Sequence, residues 1–142
     1  MRKIIYLYIL ASILFVSCEF DRPSNELGGF WKLTTIDTLT TGGVCDYTDK
    51  QIFWSFQADL MQTSDKDTIK EIVYRYSMPN DSLVVYAPFI SNRDSGDIKV
   101  ENPDMLRVFG INSLEEHFKF DRKKSGKFVI SNDFLRLTFR KF

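Results

Sequence analysis

The chain has 142 residues, with 19 Lys and Arg balanced by 19 Asp and Glu and a single histidine. This length accommodates one domain and excludes a large multi-domain enzyme. With no basic excess, the electrostatic case for a nucleic-acid partner disappears. Aromatic residues make up 15%, with 13 Phe, 6 Tyr and 2 Trp, a composition that folds around buried rings rather than staying disordered.

The first segment reads as an address. Arg2 and Lys3 precede a mostly apolar run from Ile4 to Val16, the layout of a secretory signal and too short for a membrane-spanning helix. Hydropathy stops at Ser17-Cys18-Glu19. Leu14-Phe15-Val16-Ser17-Cys18 resembles a bacterial lipobox, with Phe15 and Val16 bulkier than the strict form. The resemblance implies that Cys18 carries a diacylglycerol thioether and that the signal, residues 1–17, is removed. The mature chain would then have 125 residues and 17 basic against 19 acidic groups, a net charge of −2. Several acyl chains anchor a protein stably where one is marginal. Residues 18–28 read as a lipidated polar tether and residues 29–142 as the folded domain. The expected location is the cell envelope, anchored in the outer membrane, with the periplasmic and surface faces both open. An acylated Cys18 leaves Cys45 without an intramolecular disulfide, and a lone thiol of this kind is expected to be buried and inert.

From residue 29 the pattern is strands broken by turn chemistry at short intervals. Phe30–Leu39 is rich in β-branched residues, and Gly42-Gly43 supplies a turn. Gln51–Met61 alternates with period two, placing Ile52, Trp54, Phe56, Ala58 and Leu60 on one face and leaving Phe53 and Met61 as apolar exceptions on the other. Thr63–Asp67 reads as a polar turn. A strand follows over residues 68–78 with Ile72, Tyr74, Tyr76 and Met78 on one face. Pro79–Ser82 turns the chain into Leu83–Ala87, and Ser91–Asp97 is the most polar loop. Asn102 and Pro103 suit the cap and first position of one short helix over 103–111, with a strand as the competing reading. Glu116–Arg122, a hairpin tip at Lys124-Ser125-Gly126, Phe128–Ile130 and Phe134–Phe142 complete seven strands, with an eighth near Asp97–Glu101. The fold class is all-β. Closure into an antiparallel up-and-down barrel of about eight strands removes the exposed edges of so long a sheet. A sandwich is the competing architecture.

Gly29-Phe30-Trp31, directly before the first strand, shows the Gly-x-Trp opening of lipocalins and other calycins. In a closed barrel the first and last strands pair antiparallel, which brings Trp31 within reach of Arg140, or of Arg136 in another register. A guanidinium over the indole would close that end of the barrel with a contact of about 0.5–2 kcal/mol. Phe53-Trp54-Ser55-Phe56-Gln57, Phe109-Gly110-Ile111-Asn112 and Leu135-Arg136-Leu137-Thr138-Phe139-Arg140 further resemble the small lipocalin-like lipoproteins of Bacteroidetes-type bacteria. The resemblance covers most of residues 29–142 and implies a lipocalin-like barrel of uncertain ligand, without an enzymatic activity.

An eight-stranded barrel either fills with side chains or holds one small ligand. Trp54, Phe56, Tyr74, Tyr76, Tyr86, Phe118 and Phe120 are the candidates for its lining, with tyrosine hydroxyls to orient an apolar or amphipathic molecule. A solid aromatic core is the competing outcome. His117 alternates with Phe118 and is expected in solvent. Asp46, Asp49, Asp65 and Asp67 read as turn formers rather than calcium ligands. No phosphate loop, serine elbow, zinc motif or Cys-x-x-Cys occurs, so no catalytic residue, metal or cofactor is assigned. The expected function is a lipid-anchored envelope protein that binds a small apolar or amphipathic ligand. The alternative is an interaction module that contacts a protein or glycan through its outer face, with Phe53, Met61 and the Ser91–Asp97 loop as the places to look.

Overall fold

The alternation in the sequence is realised as ten strands joined in one sheet, in a computed structural model that describes residues 27–142 apart from Ser125. In chain order they are β1 (Gly29–Thr38), β2 (Gly43–Asp46), β3 (Ile52–Gln57), β4 (Leu60–Asp65), β5 (Lys70–Ser77), β6 (Ser82–Ile90), β7 (Ile98–Lys99), β8 (Glu116–Lys124), β9 (Lys127–Ser131) and β10 (Leu135–Lys141), with a 3-10 helix at Pro103–Phe109 between β7 and β8. Eight of the strands form a closed antiparallel ring in the order β1-β3-β4-β5-β6-β8-β9-β10, and β10 returns to β1. The ring is an up-and-down barrel, as the sequence implied.

Closure depends on the length of β1. Its first half, Gly29–Lys32, pairs with β3, and its second half, Thr35–Thr38, pairs with β2. Its other edge meets β10 from Trp31↔Lys141 to Thr38↔Leu135. Register shifts fall between Leu33 and Thr35, Val73 and Arg75, and Phe120 and Arg122. Such bulges bend a strand and tighten its twist, which curling a sheet into a cylinder requires.

Two expectations change. The expected single strand Gln51–Met61 is two strands, because Ala58 adopts a φ of 53° and turns the chain between Gln57 and Leu60. The turn resets the alternation. Met61 pairs with Phe56 on the inner face and is fully buried, whereas Leu60 moves to the outer face at 38% exposure. The expected turn Thr63–Asp67 is therefore mostly strand, with Asp65 ending it by accepting the Asp67 and Thr68 amides. The other change concerns the eighth strand, which is this extra turn of the ring. The segment near Asp97–Glu101 contributes only the two residues of β7, laid against β6 outside the ring.

The antiparallel order defines two ends. At the lower end lie Gly29, the β3–β4 turn, the β5–β6 turn, the β8–β9 tip and the end of β10. At the upper end lie the connections β1–β3, β4–β5, β6–β8 and β9–β10. The long β6–β8 connection folds back into the upper barrel as a plug. Asn102 caps the 3-10 helix by accepting the Asp104 amide, with Pro103 at its start, and Gly110 ends it at φ 83°. A Cβ at Gly110 would lie 2.7 Å from Leu137 Cδ2, so both the backbone conformation and the close approach demand glycine. Leu106, Phe109 and Ile111 are fully buried, and each such side chain contributes about 1.5–3 kcal/mol of apolar burial. Glu116 fixes the exit from the plug, accepting the Asn112 and Ser113 amides on one oxygen and the Asn132 side chain on the other.

Candidate ligand-binding site

The candidate lining residues separate into three groups. Trp54, Phe56, Tyr74 and Phe118 all point into the barrel. Their exposures are 0%, 3%, 1% and 1%. A cavity wide enough for water would register as exposed surface on its lining, so at these residues the barrel is filled. The rings pack in edge-on, tilted and stacked contacts. Trp54 meets Phe139 at 4.7 Å and Phe118 at 6.1 Å between centroids, and Phe128 stacks on Phe139 at 4.5 Å. Their polar atoms are also committed. Trp54 donates from Nε1 to the Phe109 carbonyl at 3.1 Å, latching the plug to the barrel wall. Tyr74 and Thr63 share a hydrogen bond at 3.2 Å. Burial drives the Tyr74 phenol far above its ordinary value, with the Thr63 bond opposing the shift. Among the described residues no buried side-chain polar atom lacks a partner.

Tyr76 and Phe120 form the second group, at the lower mouth. Both are half-buried against the core, as is Met78. Tyr76 stands edge-on to Phe56 at 5.1 Å and donates its hydroxyl to the Ala58 carbonyl at 2.8 Å. Burial raises its pKa first, and the nearby Asp59 carboxylate adds to the rise. Phe120 faces Phe128 at 6.1 Å, and the Lys123 ammonium sits 4.5 Å above its ring.

Tyr86 is alone in the third group, and the expectation that it faces inward is corrected. Leu83 and Val85 take the inner positions of β6, so Tyr86 points outward, opposite Arg75 and half-buried.

The first and last strands meet around Trp31 as expected, but the cation there is Lys141. Trp31 lies opposite Lys141 in the β1–β10 register, with the Lys141 ammonium 4.8 Å from the indole centre and donating to the Gly28 carbonyl at 2.6 Å. Arg140 and Arg136 occupy alternate, outward positions. Arg140 pairs in register with Lys32, and Arg136 contacts Asp121 at 3.4 Å. Trp31 itself packs on Phe128 at 4.7 Å and donates to the Leu27 carbonyl at 3.0 Å. Leu27, at the end of the expected tether, is thus part of the core. Cys18 and residues 1–17 lie outside the described residues.

The outer surface is divided by charge. Residues 116–142 carry eight basic groups against three acidic, whereas residues 27–115 carry eight against thirteen. On the β8–β9–β10 wall two shallow depressions share Arg136. One of about 480 Å³ is bordered by Ser82, His117, Lys119 and Asp133, and one of about 320 Å³ by Asp121, Arg122 and Lys127. On the opposite wall a depression of about 300 Å³ is bordered by Gln57, Leu60, Gln62 and Val73. Phe53, expected as an exposed contact, is covered by the Phe142 ring at 4.9 Å, and Met61 is inside. His117 is solvent-facing with a side chain 67% exposed, as expected. Cys45 is not buried. It lies exposed on β2, a short flap held by β1 on one edge. Asp46 and Asp65 are turn formers, and hydrogen bonds from the Thr48 amide and hydroxyl hold the Asp46 carboxyl below its usual range. Among the described residues no three His, Cys, Asp or Glu side chains gather into a metal-holding group.

Strand alternation marks neither Lys141 and Lys123 over aromatic rings nor the burial of Leu106, Phe109 and Ile111 as a plug. The plug had a signal in the apolar pair Leu106 and Phe109 at helical spacing. The lysines had none beyond their position at strand ends.

Comparison with known proteins agrees with this geometry. The sequence model of a family described as a lipocalin-like domain matches residues 13–142. The crystal structure of a lipocalin-like protein from Bacteroides uniformis superposes with a TM-score of 0.61 at 17% identity, covering 82% of this chain and 99% of its own. That of an uncharacterized protein from Bacteroides eggerthii gives 0.60, with the same identity and coverage. At such identity the likeness concerns the fold. No curated protein matches the chain.

Proposed function

The chain belongs to the lipocalin-like domain family, and we propose that it is a lipid-anchored protein of the cell envelope, seated in the outer membrane, which binds one small amphipathic molecule without catalysis. The binding place is the lower mouth. The centre of the barrel is filled by Trp54, Tyr74 and Phe118, and the plug residues Leu106, Phe109 and Ile111 fill the space above them, all at 0–1% exposure. At the lower mouth Tyr76, Met78 and Phe120 remain half-buried, and Lys123 and Lys141 hold ammonium groups over neighbouring rings. Apolar rings below and cations above suit a molecule with an apolar body and an anionic head. This juxtaposition carries the reading. Cys18, directly after the apolar run, supports the anchor.

Two measurements test it. Intact mass of the N-terminal peptide from membranes should show an acylated Cys18, and an unmodified cysteine on an uncleaved chain contradicts the anchor. Native mass spectrometry of the extracted protein should show one bound or displaceable amphiphile. No bound or displaceable species across a panel of fatty acids, lysolipids and apolar dyes contradicts the carrier role.

The packed interior and the charged outer wall favour a second reading, an interaction module that contacts a protein or glycan through the β8–β10 face. Retention of envelope partners by a chain with an emptied ligand panel would favour it.

A further inference from the structure

The lower rim is chemically one-sided. The β8–β9 hairpin brings Arg122, Lys123, Lys124 and Lys127 to the rim, and β10 adds Arg140 and Lys141 next to it. Lys124 lies opposite Lys127, and Lys127 opposite Arg140, so like charges face one another across adjacent strands. Directly opposed like charges destabilise a sheet, so this arrangement is unfavourable to the fold taken alone. Among the described residues no carboxylate forms an ion pair with Lys124, Lys127 or Arg140. Beside the cations two aromatic rings stand in solvent, Phe30 at 53% exposure and Phe142 at 78%. Of the two acids of the rim, Asp59 lies across the ring on the β3–β4 turn and contacts Arg75 at 3.6 Å, whereas Asp81, on the β5–β6 turn, lies beside β8 with its carbonyl accepting the Phe120 amide at 3.2 Å.

The chain enters the barrel at this same rim. Leu27 and Gly28 sit under Trp31 and Lys141. Eight residues lie between Cys18 and Leu27, and the nine steps span at most about 30 Å when fully extended. A barrel tethered at Cys18 thus cannot hold its lower rim far from the bilayer.

We propose that the basic side of the lower rim, Lys124, Lys127 and Arg140 with Phe30 and Phe142 beside it, docks on the phosphate headgroups of an anionic phospholipid membrane. Lysines pair with the phosphates while the two rings enter the headgroup boundary, a combination typical of interfacial binding. Asp59, across the ring, turns the far side away from the anionic surface. Docking sets the barrel upright on its anchor and opens the lower mouth toward the membrane. The direction of docking rests on the anchoring reading. The contact itself does not, and is tested without an acyl chain.

The test uses the chain from residue 18 with Cys18→Ser, floated with vesicles of phosphatidylcholine alone or with about 30% phosphatidylglycerol. The chain should partition on the anionic vesicles, not on the neutral ones, and should come off in about 1 M salt, where the Debye length is ~3 Å. A rim lysine near an anionic surface changes partitioning by about five-fold, so Lys124→Glu with Lys127→Glu, which removes two positive charges and adds two negative ones, should lower it by well over about 25-fold. Lys124→Gln with Lys127→Gln, which adds no charge, should fall between. Lys66→Glu with Lys70→Glu makes the same charge change at the upper end and should move partitioning less than about two-fold. Circular dichroism confirms that each variant is folded. Equal partitioning on both vesicle types, or equal losses from the two glutamate pairs, overturns the proposal. An unmodified Cys18 in cells would remove the anchor while leaving this contact to stand or fall on the vesicles alone.

Discussion

The two ends of this barrel solve one problem in different ways. The upper end is closed by chain: the β6–β8 connection drops Leu106, Phe109 and Ile111 into the interior, and the Trp54 indole holds the Phe109 carbonyl. The lower end is lined by strand side chains, and Tyr76, Met78 and Phe120 remain half-buried there. Charge follows the same division. The upper connections, residues 39–51, 66–69, 91–115 and 132–134, hold nine acids against five basic groups; at the lower end the turns hold two acids, and the six basic groups sit on the ends of β8, β9 and β10. One ring of strands is thus closed by different means at its two poles, by a folded connection above and by strand side chains below.

The sharpest way to break this contrast is to truncate one ring at each end. Phe109→Ala removes a fully buried ring and should cost about 3–5 kcal/mol in urea unfolding. Phe120→Ala, at a half-buried ring, should cost about half of that and instead weaken binding of an amphipathic probe. Equal costs would mean that the ends are packed alike. Gly110→Ala attacks the plug through the backbone. Its φ of 83° and the 2.7 Å approach to Leu137 should cost about 2–3 kcal/mol together.

A smaller effect separates the buried tyrosine from the mouth tyrosine. Burial raises the folded-state pKa of Tyr74 above the ordinary phenol value of 10.0. Below that value the phenol is neutral in both folded and unfolded chains. As the pH climbs past it, the unfolded chain releases the proton and the folded chain does not, so stability declines with rising pH. Tyr74→Phe should flatten this alkaline decline and lose about 1 kcal/mol at neutral pH with its Thr63 hydrogen bond. Tyr76→Phe, at the wetter mouth, should flatten it less. Urea midpoints measured from pH 8 upward check both.

Much of the ring was legible in the chain. β1 and β10, the hairpin tip before Lys127, and the cap at Asn102-Pro103 follow from alternation and turn chemistry, and pairing of the chain ends follows from closure. The break at Ala58-Asp59 was not legible, because no Gly, Pro or Asn marks it and the alternation of Ile52, Trp54 and Phe56 continues in phase to Leu60. The positive φ of Ala58 is imposed by the pairing of β3 with β4. The face of Tyr86 is fixed by the burial of Leu83 and Val85, and the aromatic character of its ring does not reveal that face. Whether the barrel holds a cavity could not be read from alternation, which gives the side of a strand but not the space beyond it. That space is filled from residues 100–111, by a segment distant in sequence from Trp54.

The account stands most directly on where an amphiphile binds. Titration of the isotope-labelled chain with a fluorescent fatty acid, followed by backbone amide spectra, should give saturable one-to-one binding. The perturbed amides should cluster at Phe56, Tyr76, Met78, Phe120, Lys123 and Lys141, with Leu106, Phe109 and Ile111 unmoved. Saturation with the changes centred on the plug, or no saturation with any amphiphile of the panel, would contradict it.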